Sequence, residues 1–169
     1  MTAVARPLVL VVMGVSGVGK TTLGTLVAER LGWPFEEGDA LHPEANVAKM
    51  AAGHALDDHD RWPWLDRVAG WIDERLDAGQ QGVITCSALK RAYRDRLRRP
   101  DVVFVHLTGP KQLTAERLAA RQGHFMPTSL LDSQLATLEP LGADENGFEI
   151  STALTREQQV DEVVSRVRD

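Results

Sequence analysis

Leu8-Val9-Leu10-Val11-Val12-Met13-Gly14-Val15-Ser16-Gly17-Val18-Gly19-Lys20-Thr21-Thr22 is the stretch that decides the fold. Its opening is an unbroken aliphatic run, as expected of a strand buried on both faces of a parallel sheet. Gly14 to Thr21 satisfies G-x-x-x-x-G-K-[ST]. From Lys20 to about Leu31 the apolar positions Leu23, Leu26, Val27 and Leu31 share one helical face, with Gly32 as a stop signal. Strand, glycine-rich turn and helix in that order make a phosphate cradle: glycines let backbone N–H groups face an anion, and the helix N-terminus adds partial positive charge. The segment therefore reads as ATP-binding through Gly14, Val15, Ser16, Gly17, Val18, Gly19, Lys20, Thr21 and Thr22. Lys20 would reach the β- and γ-phosphates, and the Thr21 hydroxyl would ligate Mg²⁺. The bland alternative is a glycine-rich turn without a ligand, and the flanking strand and helix weigh against it.

Downstream, strand and helix alternate almost throughout. A short strand near Pro34–Glu37 precedes a helix over Glu44–Ala52, and Arg61–Ala78 carries one apolar stripe of Leu65, Val68, Ala69, Ile72 and Leu76. Strands are predicted at Gly82–Cys86, Val102–Leu107 and Phe148–Ile150. Helices are predicted at Leu89–Arg99, Gln112–Arg121 and Leu130–Glu139, with a last one through Val160, Val163, Val164 and Val167. The pattern predicts a single three-layer α/β domain over all 169 residues, with a mostly parallel central sheet.

The formal net charge of −5 argues against a general nucleic-acid or anionic-membrane binder, so any anion site must be a local basic pocket. Cys86 is the only cysteine, which excludes an intrachain disulfide and fits a reducing, cytoplasmic setting. Arg6 and the apolar run after it could pass for a signal peptide, but no cleavage pattern follows and the run is far too short for a bilayer.

Glu37-Gly38-Asp39 falls at the C-terminal edge of the sheet, where open α/β folds place their ligands. Spaced i, i+2 at a strand end, the two carboxylates point to the same side of the sheet, where one could hold Mg²⁺ through water and the other accept the proton of an attacking hydroxyl. A solvated acidic loop is the competing reading. The adjoining residues tip the balance: Gly38-Asp39-Ala40-Leu41-His42-Pro43-Glu44-Ala45-Asn46-Val47-Ala48-Lys49-Met50, then Leu56-Asp57-Asp58-His59-Asp60-Arg61-Trp62-Pro63-Trp64-Leu65. This region resembles the substrate segment of the gluconate kinases. Cys86-Ser87-Ala88-Leu89-Lys90 with Tyr93-Arg94-Asp95 resembles that family's segment after the third strand. Arg121-Gln122-Gly123-His124-Phe125-Met126-Pro127 resembles its lid, over about residues 122–139.

The resemblance implies a fold of the nucleoside-monophosphate-kinase and shikimate-kinase type, MgATP as donor, D-gluconate as acceptor, 6-phosphogluconate as product and, commonly, a homodimer. Another sugar-acid or shikimate kinase is the nearest alternative. A nucleotide-binding regulatory module is a more distant one, since it has no need of an acidic pair, a basic face and a lid together.

Gluconate is an anionic polyol, so its site needs cations and hydrogen-bonding groups. Charge nominates Lys49, Arg61, Lys90 and Arg94, the last two i, i+4 on one helix and able to present a single basic face. Arg61 could instead pair with Asp57 or Asp58. Asp39 is the candidate for orienting the acceptor hydroxyl and taking its proton, and Glu37 for holding Mg²⁺ through water. His42 and His124 could hydrogen-bond the polyol or phosphate, whereas His106 reads as structural. Arg117 and Arg121 border the lid and would neutralise the transferring phosphoryl group, Arg121 being the better placed. For the adenine pocket only position offers a candidate, Ser151–Leu154 after the last strand.

Overall fold

The computed structural model describes residues 8–168 apart from 16, 55 and 121–127. Five parallel strands form one sheet in the order β2-β3-β1-β4-β5: β1 Val9–Met13, β2 Phe35–Glu36, β3 Gly82–Thr85, β4 Val102–Thr108 and β5 Gly147–Ser151. The described helices are α1 Lys20–Leu31, α2 Glu44–Ala51, α3 Asp58–Asp77, α4 Arg91–Leu97, α5 Lys111–Ala120, α6 Thr128–Thr137 and α7 Arg156–Arg168. None of them is long and apolar enough to cross a membrane.

Strand β1 is central, pairing with β3 on one side and β4 on the other. All five of its side chains are buried, because helices cover both faces. Leu10 and Val12 face one apolar layer with Leu23 and Val27 of α1 and Val160 and Val163 of α7. Val9, Val11 and Met13 face the other, with Leu65, Val68 and Ile72 of α3 and Tyr93 and Leu97 of α4. The alternation along one strand thus makes the three layers predicted from sequence. Parallel pairing also brings every strand's C-terminus to one edge, and the loops that leave that edge build the site.

Two local expectations need correction. Helix α3 starts at Asp58, not Arg61, because Asp57 and Asp60 form a reciprocal capping box. That places Pro63 inside the helix rather than in its first turn. Glu37 and Asp39 are not successive same-face residues of a strand either: β2 ends at Glu36, and Gly38–Leu41 is a 3₁₀ turn.

Candidate active site

The turn from β1 into α1 is a backbone device. Gly14, Gly17 and Gly19 have φ of 148°, 86° and 97°, values that glycine adopts without steric cost. Gly14 also lacks room for a side chain, since a Cβ there would lie 2.6 Å from the Leu107 carbonyl oxygen. Val15 and Val18 bury their side chains, which leaves backbone as their contribution to the cleft. Lys20 Nζ donates to the carbonyls of Gly14 and Val15 at 2.9 and 3.0 Å. Thr21 and Thr22 are exposed in the first turn of α1. The Thr21 hydroxyl donates to Glu37 Oε2, and Glu37 Oε1 accepts from the Thr85 hydroxyl.

One arginine stands over this turn, and a second lies near it. Arg156, the first residue of α7, lies so close that a Cβ on Gly19 would meet its guanidinium at 2.1 Å. Arg117 donates one Nη to the Thr152 carbonyl at 3.0 Å, while its other Nη is buried with no hydrogen-bond partner among the described residues. Burial, and then the nearby Arg117 charge, lower the pKa of Arg156. Clustered cations, an orphaned guanidinium nitrogen and a helix N-terminus fit the polyphosphate of ATP. The touching Thr21 hydroxyl and Glu37 carboxylate are hard oxygen donors suited to Mg²⁺, which keeps several waters of its own.

The acceptor side is pinned by Thr85 and Trp64. The Gly38 N–H donates to the Thr85 hydroxyl at 3.0 Å, and Trp64 Nε1 donates to the Gly38 carbonyl at 2.9 Å. A Cβ on Gly38 would sit 1.7 Å from the Thr85 carbonyl oxygen, so only glycine allows this approach. Held this way, Asp39 leaves 67% of its side chain exposed at the open edge. The buried His42 ring stacks on Trp64 at 4.1 Å, contacts Asn46 through Nδ1 at 3.2 Å and stands 3.9 Å from Asp39 Oδ1 through Nε2. Burial outweighs the attraction of Asp39 and lowers the His42 pKa to about 4, so the ring is neutral at pH 7.

A second cluster lies where α3 and α4 begin. Lys90 Nζ donates to both Asp58 oxygens at 3.1 and 3.3 Å, and the Tyr93 hydroxyl donates to the same carboxylate. Hydrogen bonds from Tyr93 and then Lys90 lower the Asp58 pKa, and the Asp58 bond raises that of Lys90. Arg61 donates to the Tyr93 hydroxyl at 2.9 Å, with its guanidinium 5.3 Å from the centre of that ring. Asp58 and Tyr93 thus join Arg61 and Lys90 in one polar group, with Trp62 packed edge-on against Tyr93.

A family model described as an AAA domain matches residues 9–141. The gluconokinase of Gluconobacter oxydans (strain 621H) is 56% identical over 148 residues, covering 86% of this chain and 83% of the relative. The chain belongs to the gluconokinase family. Among solved structures, a sugar kinase from Janibacter sp. HTCC2649, unliganded, is 50% identical with a TM-score of 0.90, covering 94% of this chain and 93% of that one. A gluconokinase from Sinorhizobium meliloti 1021 is 44% identical with a TM-score of 0.88, covering 96% and 93%. At the level of fold alone, shikimate kinase from Aquifex aeolicus vf5 is similar, with a TM-score of 0.61 at 14% identity.

Within this gluconokinase-family chain, one nominated cation has other work, and another is paired inside the protein. Arg94 does not share a basic face with Lys90. Lys90 caps α4 from outside the helix, while Arg94 is 1% exposed and bonded to Glu145 and to backbone carbonyls. Lys49 is bound to Asp60 at 2.6 Å and lies 3.8 Å from Asp57, tying α2 to the capping box of α3. Its pKa is raised chiefly by the Asp60 hydrogen bond. His106 is buried within the sheet, as expected of a structural residue. Ser16, Arg121 and His124 lie outside the described residues. Asp58 and Tyr93 stand in segments quoted from the sequence, Asp58 as a possible partner of Arg61, but sequence reasoning misses Thr85 and Arg156. Only Arg156 leaves a trace, two residues beyond the Ser151–Leu154 stretch after the last strand.

Proposed function

We propose that this chain transfers the γ-phosphoryl group of ATP to the 6-hydroxyl of D-gluconate, giving 6-phospho-D-gluconate and ADP. One observation carries the reading: Thr85 holds Glu37 beside Thr21 and, through the Gly38 N–H, also holds the turn that presents Asp39. Donor and acceptor groups are thus anchored on one buried hydroxyl.

Lys20 exchanges its two carbonyl partners for phosphate oxygens. Arg117 and Arg156 neutralise charge on the polyphosphate, and the resemblance gives Arg121 the same role. Thr21 and Glu37 would hold Mg²⁺, which would supply charge neutralisation on the phosphates. Lys49, Arg61 and Lys90 bind the gluconate carboxylate, and His42 and His124 its hydroxyls. Asp39 orients the 6-hydroxyl and accepts its proton as the oxygen–phosphorus bond forms and the β–γ bridge breaks toward ADP. Residues 122–139 act as a lid that excludes water. The family resemblance supports a homodimer. A single cysteine, buried as the Cys86 thiol, supports a cytoplasmic setting.

Coupled ADP release should appear with MgATP and D-gluconate and exceed that with shikimate. Robust turnover of another acceptor without turnover of gluconate would overturn the substrate and leave the kinase.

A further inference from the structure

Arg94 takes no part in the proposed chemistry, yet every nitrogen of its guanidinium is used. Nε donates to the Glu145 oxygens at 2.9 and 3.2 Å, one Nη to the carbonyls of Ala88 and Leu89 at 2.9 and 3.3 Å, and the other to Pro140 at 3.3 Å. Both side chains of the Arg94–Glu145 pair are 2% exposed. One buried cation therefore joins the turn between β3 and α4 to the chain leaving α6. The seam continues to the surface. The Glu139 N–H donates to the Leu89 carbonyl at 2.7 Å, and the Arg91 N–H donates to Glu139 Oε1 at 3.0 Å. The Arg91 guanidinium also grips Asp144 at 2.9 Å.

That turn needs holding. Ala88 has φ of +46°, the one described non-glycine residue in the left-handed region, and it is fully buried. Such a conformation persists only where its surroundings over-determine it. The two carbonyls that Arg94 binds through one Nη are those of Ala88 and Leu89, directly before Lys90. Lys90 then caps α4 and reaches Asp58. A buried ion pair is weak evidence for stability as such, but five directed bonds into two segments specify geometry.

We propose that Arg94 is a positioning residue. With Glu145 it fixes the strained Ala88 turn so that Lys90 stands at the acceptor cleft, and it couples that turn to the segment following α6. The role assigned to Lys90 rests on the function proposed above; the latch itself rests on geometry.

The test uses the full chain with Arg94→Lys, whose single ammonium cannot reach Glu145 and all three carbonyls together. Amide exchange over residues 87–91 should become about tenfold faster and the acceptor KM should rise about tenfold, with ADP Kd and exchange in α1 within about twofold of wild type. A folded variant with unchanged exchange and KM would overturn the proposal. So would one whose ADP Kd moves in proportion to KM, since that marks general loosening. If Arg94→Lys does not fold, Glu145→Gln keeps the shape of the buried partner and removes the charge that Arg94 Nε binds. It should raise exchange at Leu89–Arg91 and the acceptor KM about threefold, and wild-type values there overturn the latch. Should wild type fail to phosphorylate gluconate, the substrate assignment falls while the exchange and ADP measurements still decide the latch.

Discussion

The two halves of the cleft are built by opposite means. The donor half is a contiguous loop whose working groups are mostly backbone, shaped by glycines at positive φ. The acceptor half is assembled from the Gly38 turn and the starts of α3 and α4, and several of its charges already have partners inside the protein. Lys90 has Asp58, and Lys49 has Asp60. A backbone cradle can therefore be read from a short motif. A side-chain site cannot, because the groups that surround each charge come from parts of the chain far apart in sequence.

Substitutions should separate these halves. The largest effect is expected at Asp39→Asn, which keeps shape and removes the proton acceptor. Turnover should fall by about 10²-fold or more while ATP Kd stays within about threefold. Near-wild-type kcat in that variant would remove Asp39 from the chemistry. Next comes Lys90→Met, expected to raise the gluconate KM by about tenfold or more with ATP KM unchanged, in line with loss of one charged hydrogen bond. Arg156→Ala should do the reverse more weakly. A rise of about fivefold in ATP KM with gluconate KM unchanged would assign it to the donor half, and a matched change in both would erase the distinction.

The smallest effect concerns acid stability. Burial lowers His42 and His106 to about 4 from the 6.5 of an exposed ring. Between those values the unfolded chain binds more protons than the folded one, so stability falls as pH drops from about 6.5 toward 4. His106→Gln should lessen the fall in Tm between pH 7 and pH 5 by about 3 °C. An unchanged slope would show that this ring is not protonated on unfolding.

Much of the fold is legible in the chain. The bounds of α1 coincide with those predicted, and each predicted strand appears within a residue or two. Boundaries fail where a second residue changes the meaning of the first. Asp57 and Asp60 look like loop acids until their mutual capping moves the start of α3. The spacing of Lys90 and Arg94 suggests one basic face only if both are helical, whereas Lys90 lies outside the helix and Arg94 turns into the core. The polar anchor Thr85 leaves no sign at all, since a threonine in a buried strand looks the same whether or not it carries a site.

By itself the sequence determined the layered α/β fold, the phosphate cradle and the family, because aliphatic runs, glycine conformations and long motifs act locally. Only the tertiary structure decided that Thr85 anchors Glu37 and the Asp39 turn, that Arg156 covers Gly19 and that Arg94 is a strut. Those roles depend on which groups are brought together from residues tens of positions apart, and burial then makes each unpaired charge too costly to leave without a partner.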